Sequence, residues 1–169
     1  VEHVEKLRRE GRNLRTLYLV NLGDHIENVS GSYSSQTFEV DLNLRDQIER
    51  AVELNVLWVK TLAPLFEEVI YTASPCNHAQ LTRNGGKSNV TDDADNATGL
   101  IAEFVSQICS HIDWLDHVLV QVPRGEMIQT VEIEGVNIAT AHGHKITGAE
   151  ETWLSKQSQR LVHTEKFIP

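Results

Sequence analysis

The stretch Leu17-Tyr18-Leu19-Val20-Asn21-Leu22, followed directly by Gly23-Asp24, decides the fold of this chain. A short run rich in aliphatic and aromatic side chains is typical of a buried β-strand. Gly23 lets the backbone turn tightly where the strand ends. The carboxylate of Asp24 then lies at the carboxyl end of the strand, which is the edge of the sheet where α/β folds bind their ligands. We therefore expect Asp24 to face a cation at that edge.

The segments after this strand predict a βαβ unit. Residues 42–62 carry a broad apolar stripe at helical spacing that Pro64 closes, and residues 69–72 form a second short apolar run. A strand, a helix and a strand in this order imply a parallel pair with a right-handed crossover. We also predict helices over residues 1–14, 97–112 and 149–163, strands over 117–122, 127–133 and 136–141, and loops over 28–36 and 81–96. The first of these helices is expected to cover one face of the sheet, and Trp153 is expected to anchor the last.

Length and composition limit the classes of protein to which the chain can belong. The chain has 169 residues, of which 40% are hydrophobic and 23% charged, as expected for a single globular domain spanning 1–169. A net charge of −9 argues against a broad nucleic-acid-binding surface and suits a site that collects metal cations. Cys76 and Cys109 form no disulfide framework, and no apolar run approaches the length of a membrane span. A cytoplasmic protein with no membrane partner is expected.

Polar residues follow three of the predicted strands at the point where each strand ends. They are Gly23-Asp24, Asn77-His78 and His142-Gly143-His144. Taken singly, an Asp after a glycine is usually a turn or capping residue, and a His after a strand is usually structural. Together, a carboxylate oxygen, an amide oxygen and an imidazole at one sheet edge suit manganese, iron or zinc.

These segments also match, in order, motifs of a known family. Gly23-Asp24-His25-Ile26-Glu27 is similar to its G-D-x-x-[DE] motif, and Cys76-Asn77-His78-Ala79 is similar to G-N-H-[DE] with its first and last residues replaced. Ala141-His142-Gly143-His144 is similar to the segment with the strand-terminal His. The chain thus resembles the calcineurin-like metallophosphoesterase superfamily, in particular phage and bacterial members near the DNA-repair exonucleases.

The resemblance implies an α/β fold in which helices flank a layered β-sandwich, and a two-metal phosphodiesterase or phosphatase, with nuclease activity among the candidates. It implies that Asp24 bridges two divalent metal ions, with manganese favoured, and that Asn77 and His142 bind the second ion. His78 would protonate the leaving oxygen or stabilise the transition state. In the loop that follows, Arg83 and Lys87 are candidates to hold the phosphate of a phosphate-ester or DNA substrate; solvated loop cations are the alternative. For His144, contact with the substrate and support of a metal ligand are both open.

The chain also departs from the family pattern at both ends. No D-x-H precedes Asp24 and no G-H-x-H follows His142, so the resemblance covers the middle of such a domain, incomplete at both ends. The chain is expected to be a fragment, or a degenerate relative with at most one metal. A non-catalytic binding or assembly module is the alternative function, and a small α/β domain with structural His residues is a third. An incomplete sheet with open edges favours a homodimer.

Overall fold

The computed structural model describes residues 1–29, 35–81, 95–146, 148–160 and 166–168. Within them the chain is mixed α/β, with five α-helices and two small three-stranded sheets. The helices are α1 (Glu2–Arg9), α2 (Gln36–Glu39), α3 (Leu44–Leu62), α4 (Ala97–Ser110) and α5 (Glu150–Arg160). The strands are β1 (Thr16–Asn21), β2 (Glu68–Ala73), β3 (Val118–Gln121), β4 (Ile128–Ile133), β5 (Val136–Ala141) and β6 (Lys166–Ile168).

The first sheet is parallel and has the order β1-β2-β3. Helix α3 connects β1 to β2, and α4 connects β2 to β3. Because both crossovers step in the same direction across the sheet, right-handed connections place both helices on the same face. The two helices do contact each other. The predicted parallel βαβ unit is therefore confirmed, and its opposite face is left open to a second layer.

β1 is less buried than the sequence predicted. Its residues are mostly half-buried and Val20 is 37% exposed, whereas Val69, Tyr71 and Ala73 of β2 are buried. The reason is position, because within the described residues β1 pairs with β2 alone and has no strand on its other side. The prediction of a buried strand at β1 was wrong in this respect, and the central strand of the sheet is β2.

The main core lies between β2 and the two long helices. Val69 and Tyr71 point to the helical side, where they join a cluster of buried aliphatic residues that includes Val59, Ile101 and Val105. Tyr71 carries a polar group into this core, and its hydroxyl donates a hydrogen bond of 2.9 Å to Oδ1 of Asn55 on α3. The core therefore contains a buried polar pair with both partners satisfied.

Asn96 ties the start of α4 to the end of β2. Its Oδ1 accepts the Thr98 N–H at 3.0 Å, which caps the helix, and its Nδ2 donates to the carbonyl oxygen of Cys76 at 2.9 Å. Beside it, the Leu81 N–H donates to the Asp95 carbonyl at 3.0 Å, and the Ala97 N–H donates to the Ala79 carbonyl at 2.7 Å. These hydrogen bonds between residues 79–81 and 95–97 form a hydrogen-bonded base, where the chain leaves this edge of the sheet and returns to it.

The second sheet contacts β1 through Tyr18 and the end of β2 through Ser74. β4 and β5 are antiparallel, and β6 is parallel to β5. The Tyr18 hydroxyl donates to the carbonyl of Glu132 at 2.9 Å, and the Ser74 hydroxyl lies 3.3 Å from that of Thr140. These contacts bring the carboxyl end of β5 beside the ends of β1 and β2.

Several predicted elements differ from the observed ones. No residue of α1 is buried, so the expectation that this helix covers a sheet face was wrong. It is held instead by Arg8, whose guanidinium donates to the Leu14 and Leu65 carbonyls and lies over the ring of Phe66. The sequence analysis did not predict β6, and α2 begins where a loop was expected to end. Trp153 lies half-buried in α5.

Replacing Tyr71 with Phe tests the buried polar pair. We expect the free energy of unfolding to fall by about 1–3 kcal/mol, because Oδ1 of Asn55 would stay buried without its donor. Urea denaturation followed by circular dichroism measures the change. Tyr18→Phe is the matched control, since its hydroxyl bond lies near the surface and should contribute less than about 1 kcal/mol. Equal losses in both variants would contradict a special role for the Tyr71–Asn55 pair.

Candidate metal centre

The turn after β1 has an unusual backbone conformation. Gly23 has φ +113° and Asp24 has φ +51°, and the Gly23 N–H donates to Oδ1 of Asn21 at 3.1 Å. Left-handed conformations are uncommon outside glycine, although Asp tolerates them better than most residues. The turn presents the Asp24 carboxylate at the carboxyl edge of the sheet, with its side chain 53% exposed.

The end of β5 delivers His142 to the same place. Its Nδ1 lies 2.8 Å from the Leu22 carbonyl oxygen, and its Nε2 lies 3.0 Å from Oδ1 of Asn77. The same Nε2 is 3.4 Å from Oδ1 of Asp24. The three residues that the sequence analysis named as metal ligands therefore converge at one point. Asp24 and Asn77 both contact His142, and none of the three caps a helix in the described part of the chain.

The protein groups around His142 include more hydrogen-bond acceptors than donors. A carbonyl oxygen only accepts, so the contact with Leu22 places a proton on Nδ1. A neutral ring then directs the lone pair of Nε2 at the oxygens of Asn77 and Asp24, which are acceptors too. Turning the Asn77 amide would supply a hydrogen to Nε2 but none to Asp24. A cation among the three atoms would satisfy all of them at once. Water can also donate to Asp24, whose side chain is 53% exposed.

The spacing of these atoms fits a divalent cation. Ligand atoms about 2.1 Å from one ion are about 3.0 Å apart at a right angle and about 3.4 Å apart at a tetrahedral angle. The distances from His142 Nε2 are 3.0 Å and 3.4 Å. No group of three or more His, Cys, Asp or Glu side chains suited to a metal occurs in the described parts of the chain. The present set has two such residues and depends on an amide for its third donor.

His78 is paired with Glu27 and not with the predicted metal ligands. Its Nδ1 lies 2.8 Å from Oε2 of Glu27. The backbone of Glu27 is itself fixed, because its N–H donates to Gln47 and its carbonyl accepts from Gln36. The pair orients the His78 ring. Sequence analysis gave Glu27 no role, although it is the acidic residue that ends the Gly23–Glu27 motif.

The remaining predicted site residues differ in their positions. The ring of His144 lies 5.4 Å from that of His142, and both of its ring nitrogens are shielded from solvent. This placement favours support of His142 over contact with a substrate. Arg83 and Lys87 lie outside the described residues. Cys76, which stands where the family has glycine, is buried, and burial raises the pKa of its thiol.

His25 is a feature that the sequence analysis did not single out. Burial lowers the pKa of its imidazole to about 4, against the opposing effect of the Asp24 charge. Its Nδ1 accepts a hydrogen bond from Nδ2 of Asn21 at 3.2 Å, which requires that nitrogen to be unprotonated. Among the described residues its buried Nε2 has no partner. His25 is therefore a neutral residue that supports the turn carrying Asp24.

Comparisons of the chain with protein-family models, with curated proteins and with solved structures found no match. The resemblance to the metallophosphoesterases thus rests on the motif residues and their order. None of the helices in the described ranges is long and apolar enough to cross a membrane.

Acidification should destabilise the protein through His25. Its folded-state pKa of about 4 lies below the ordinary value of 6.5, so the unfolded chain binds the proton more readily. Stability is present above pH 6.5 and is lost as the pH falls toward 4, by about 2 kcal/mol between pH 7 and pH 5. Urea denaturation at several pH values measures the slope.

His25→Gln should flatten this part of the pH dependence. His3→Gln, at an exposed position of α1, should leave it as in the parent protein. A parent and a His25→Gln protein with the same slope would show that His25 titrates normally in the folded state.

Proposed function

We propose that this chain is the central part of a metal-dependent phosphoesterase, a phosphodiesterase or phosphatase with nuclease among its candidate activities. The observation that carries the proposal is the convergence of Asp24 Oδ1, Asn77 Oδ1 and His142 Nε2, with the opposite nitrogen of His142 donating to a carbonyl. Metal-binding histidines commonly donate their second N–H in this way. Two oxygens and one imidazole favour manganese, with iron and zinc as the alternatives.

The layered sandwich of the metallophosphoesterases is part of the proposal. Helices α3 and α4 cover one face of the first sheet, and the second sheet contacts the other face through Tyr18 and Ser74. This order of layers supports a sandwich flanked by helices.

Within the proposed site the residues have separate tasks. Asp24, Asn77 and His142 would hold the cation, which would polarise the phosphoryl oxygens and activate a water molecule. Water would attack phosphorus as the bond to the leaving oxygen breaks, and His78 would give its proton to that oxygen. Glu27 would keep the His78 ring oriented for this transfer. The protons of the attacking water would leave with the phosphate product or pass to solvent. The reaction therefore needs His78 protonated and His142 Nε2 unprotonated.

The substrate class follows from charge as well as from the site. A chain with a net charge of −9 repels an extended polyanion, so we favour a small phosphate ester or a short stretch of single-stranded DNA held at the metal. Arg83 stays the candidate phosphate contact and His144 the weaker one. A homodimer through the open edges of the first sheet stays a prediction.

Metal content separates the proposed ligands from the proposed acid. After dialysis against manganese, the parent protein should retain metal and Asp24→Asn should lose it, because the amide has no charge to offer the cation. His78→Ala should retain metal, since His78 contacts Glu27 instead of the cluster. Mass spectrometry of metal content and calorimetric titration give the two affinities.

Equal metal loss in Asp24→Asn and His78→Ala would refute this division of roles. Absence of metal from the parent protein would refute the metal site and favour the binding or assembly module.

The leaving group tests His78 and Glu27 as an acid pair. His78→Ala and Glu27→Gln should lower kcat for phenyl phosphate esters by about 100-fold or more, because phenolate is a poor leaving group that needs the proton. The loss should be much smaller for p-nitrophenyl esters, whose leaving oxygen is stable without it. Exposed Glu53→Gln is the control and should match the parent. Equal losses on both esters would contradict a proton transfer from His78.

A further inference from the structure

Gly23 lies against two side chains from the segments that follow β2 and β5, Cys76 and His142. A Cβ atom added at this position would stand 2.6 Å from His142 Nδ1 and 3.0 Å from its Cγ. It would also stand 2.7 Å from the Cβ of Cys76. Non-bonded atoms do not approach so closely, and neither neighbour is the end of a flexible side chain. Any side chain at position 23 must therefore displace the His142 ring, the Cys76 backbone or the turn itself.

The same close approach makes the His142 hydrogen bond. The Leu22 carbonyl, one residue before Gly23, accepts from Nδ1 at 2.8 Å. The ring cannot reach this carbonyl unless the neighbouring position has no side chain. Once the ring is seated there, its Nε2 faces Asn77 at 3.0 Å and Asp24 at 3.4 Å.

We propose that Gly23 is a positioning residue for metal binding, acting through the space it leaves for His142. This inference rests on the proposed metal site. The turn residue thereby has two tasks, since its positive φ presents Asp24 and its missing side chain admits the His142 ring from the second sheet. A methyl group at position 23 should move His142 away from the oxygens of Asp24 and Asn77. We expect the affinity for manganese to fall by about 10–100-fold, which is the usual effect of losing a group that orients a metal ligand.

Backbone strain has to be separated from the collision. Alanine at a positive φ is strained wherever it stands, and this lowers stability at Gly23 as at other turns. Gly11 has φ +84° and nothing within 4 Å of the position its Cβ would take. Gly11→Ala therefore introduces strain without a collision, and it should bind manganese as the parent does.

The experiment compares the parent, Gly23→Ala and Gly11→Ala by calorimetric titration with manganese chloride. Nitrogen-detected NMR of the imidazole rings in metal-free protein supplies a second readout. The parent should show His142 protonated and hydrogen-bonded at Nδ1, and Gly23→Ala should lose this signature. An affinity of Gly23→Ala within about threefold of the parent, or an equal loss in Gly11→Ala, would overturn the inference.

A parent that binds no manganese would refute the metal site and with it the role of Gly23 in metal binding. The NMR signature would still show separately whether Gly23 seats the His142 ring. If Gly23→Ala does not fold, Cys76→Gly is added to remove the contact with the Cys76 Cβ. The double variant should bind manganese at least about tenfold more weakly than Cys76→Gly, because the collision with His142 remains. Equal affinities of these two proteins would overturn the inference.

Discussion

The hydrogen bond from His142 Nδ1 to the Leu22 carbonyl joins the two sheets at the edge where the candidate site lies. Tyr18 and Ser74 also connect the sheets, whereas this bond fixes a side chain that faces Asp24 and Asn77. Its effect on protonation is as important as its effect on position. By occupying one nitrogen with a donated proton, it leaves the other nitrogen to the acceptor oxygens of the cluster.

Local pattern was enough to predict most of the elements. The helical stripe of α3, the runs of β2 and β5 and the parallel βαβ unit follow from spacing and composition, which depend on neighbours along the chain. Burial of β1 did not follow, because exposure of an edge depends on which strands pair with it. The closeness of Asp24 and Asn77 was also predictable, since the parallel strands β1 and β2 present their carboxyl ends at one edge. The position of His142 did not follow from this rule, because β5 belongs to the second sheet.

The contacts that complete the site depend on distances between segments far apart in the sequence. Glu27 and His78 are separated by 51 positions, and His142 and Leu22 by 120, and no periodicity relates them. His25 illustrates the same limit. Its sequence neighbours are polar on one side and apolar on the other, and only the packing of the turn shows that the imidazole is kept neutral.

The hydrogen-bonded base at Leu81 and Asp95 has a consequence for how this protein can change over evolution. Asn96 holds the base to the Cys76 carbonyl and begins α4, so both ends of the intervening segment are fixed independently of its length. The entropy of closing such a segment grows slowly with the number of residues. Residues can therefore be inserted or lost there without moving Asn77 and His78. The length of this segment can thus vary while the edge of the sheet that carries the candidate site stays unchanged.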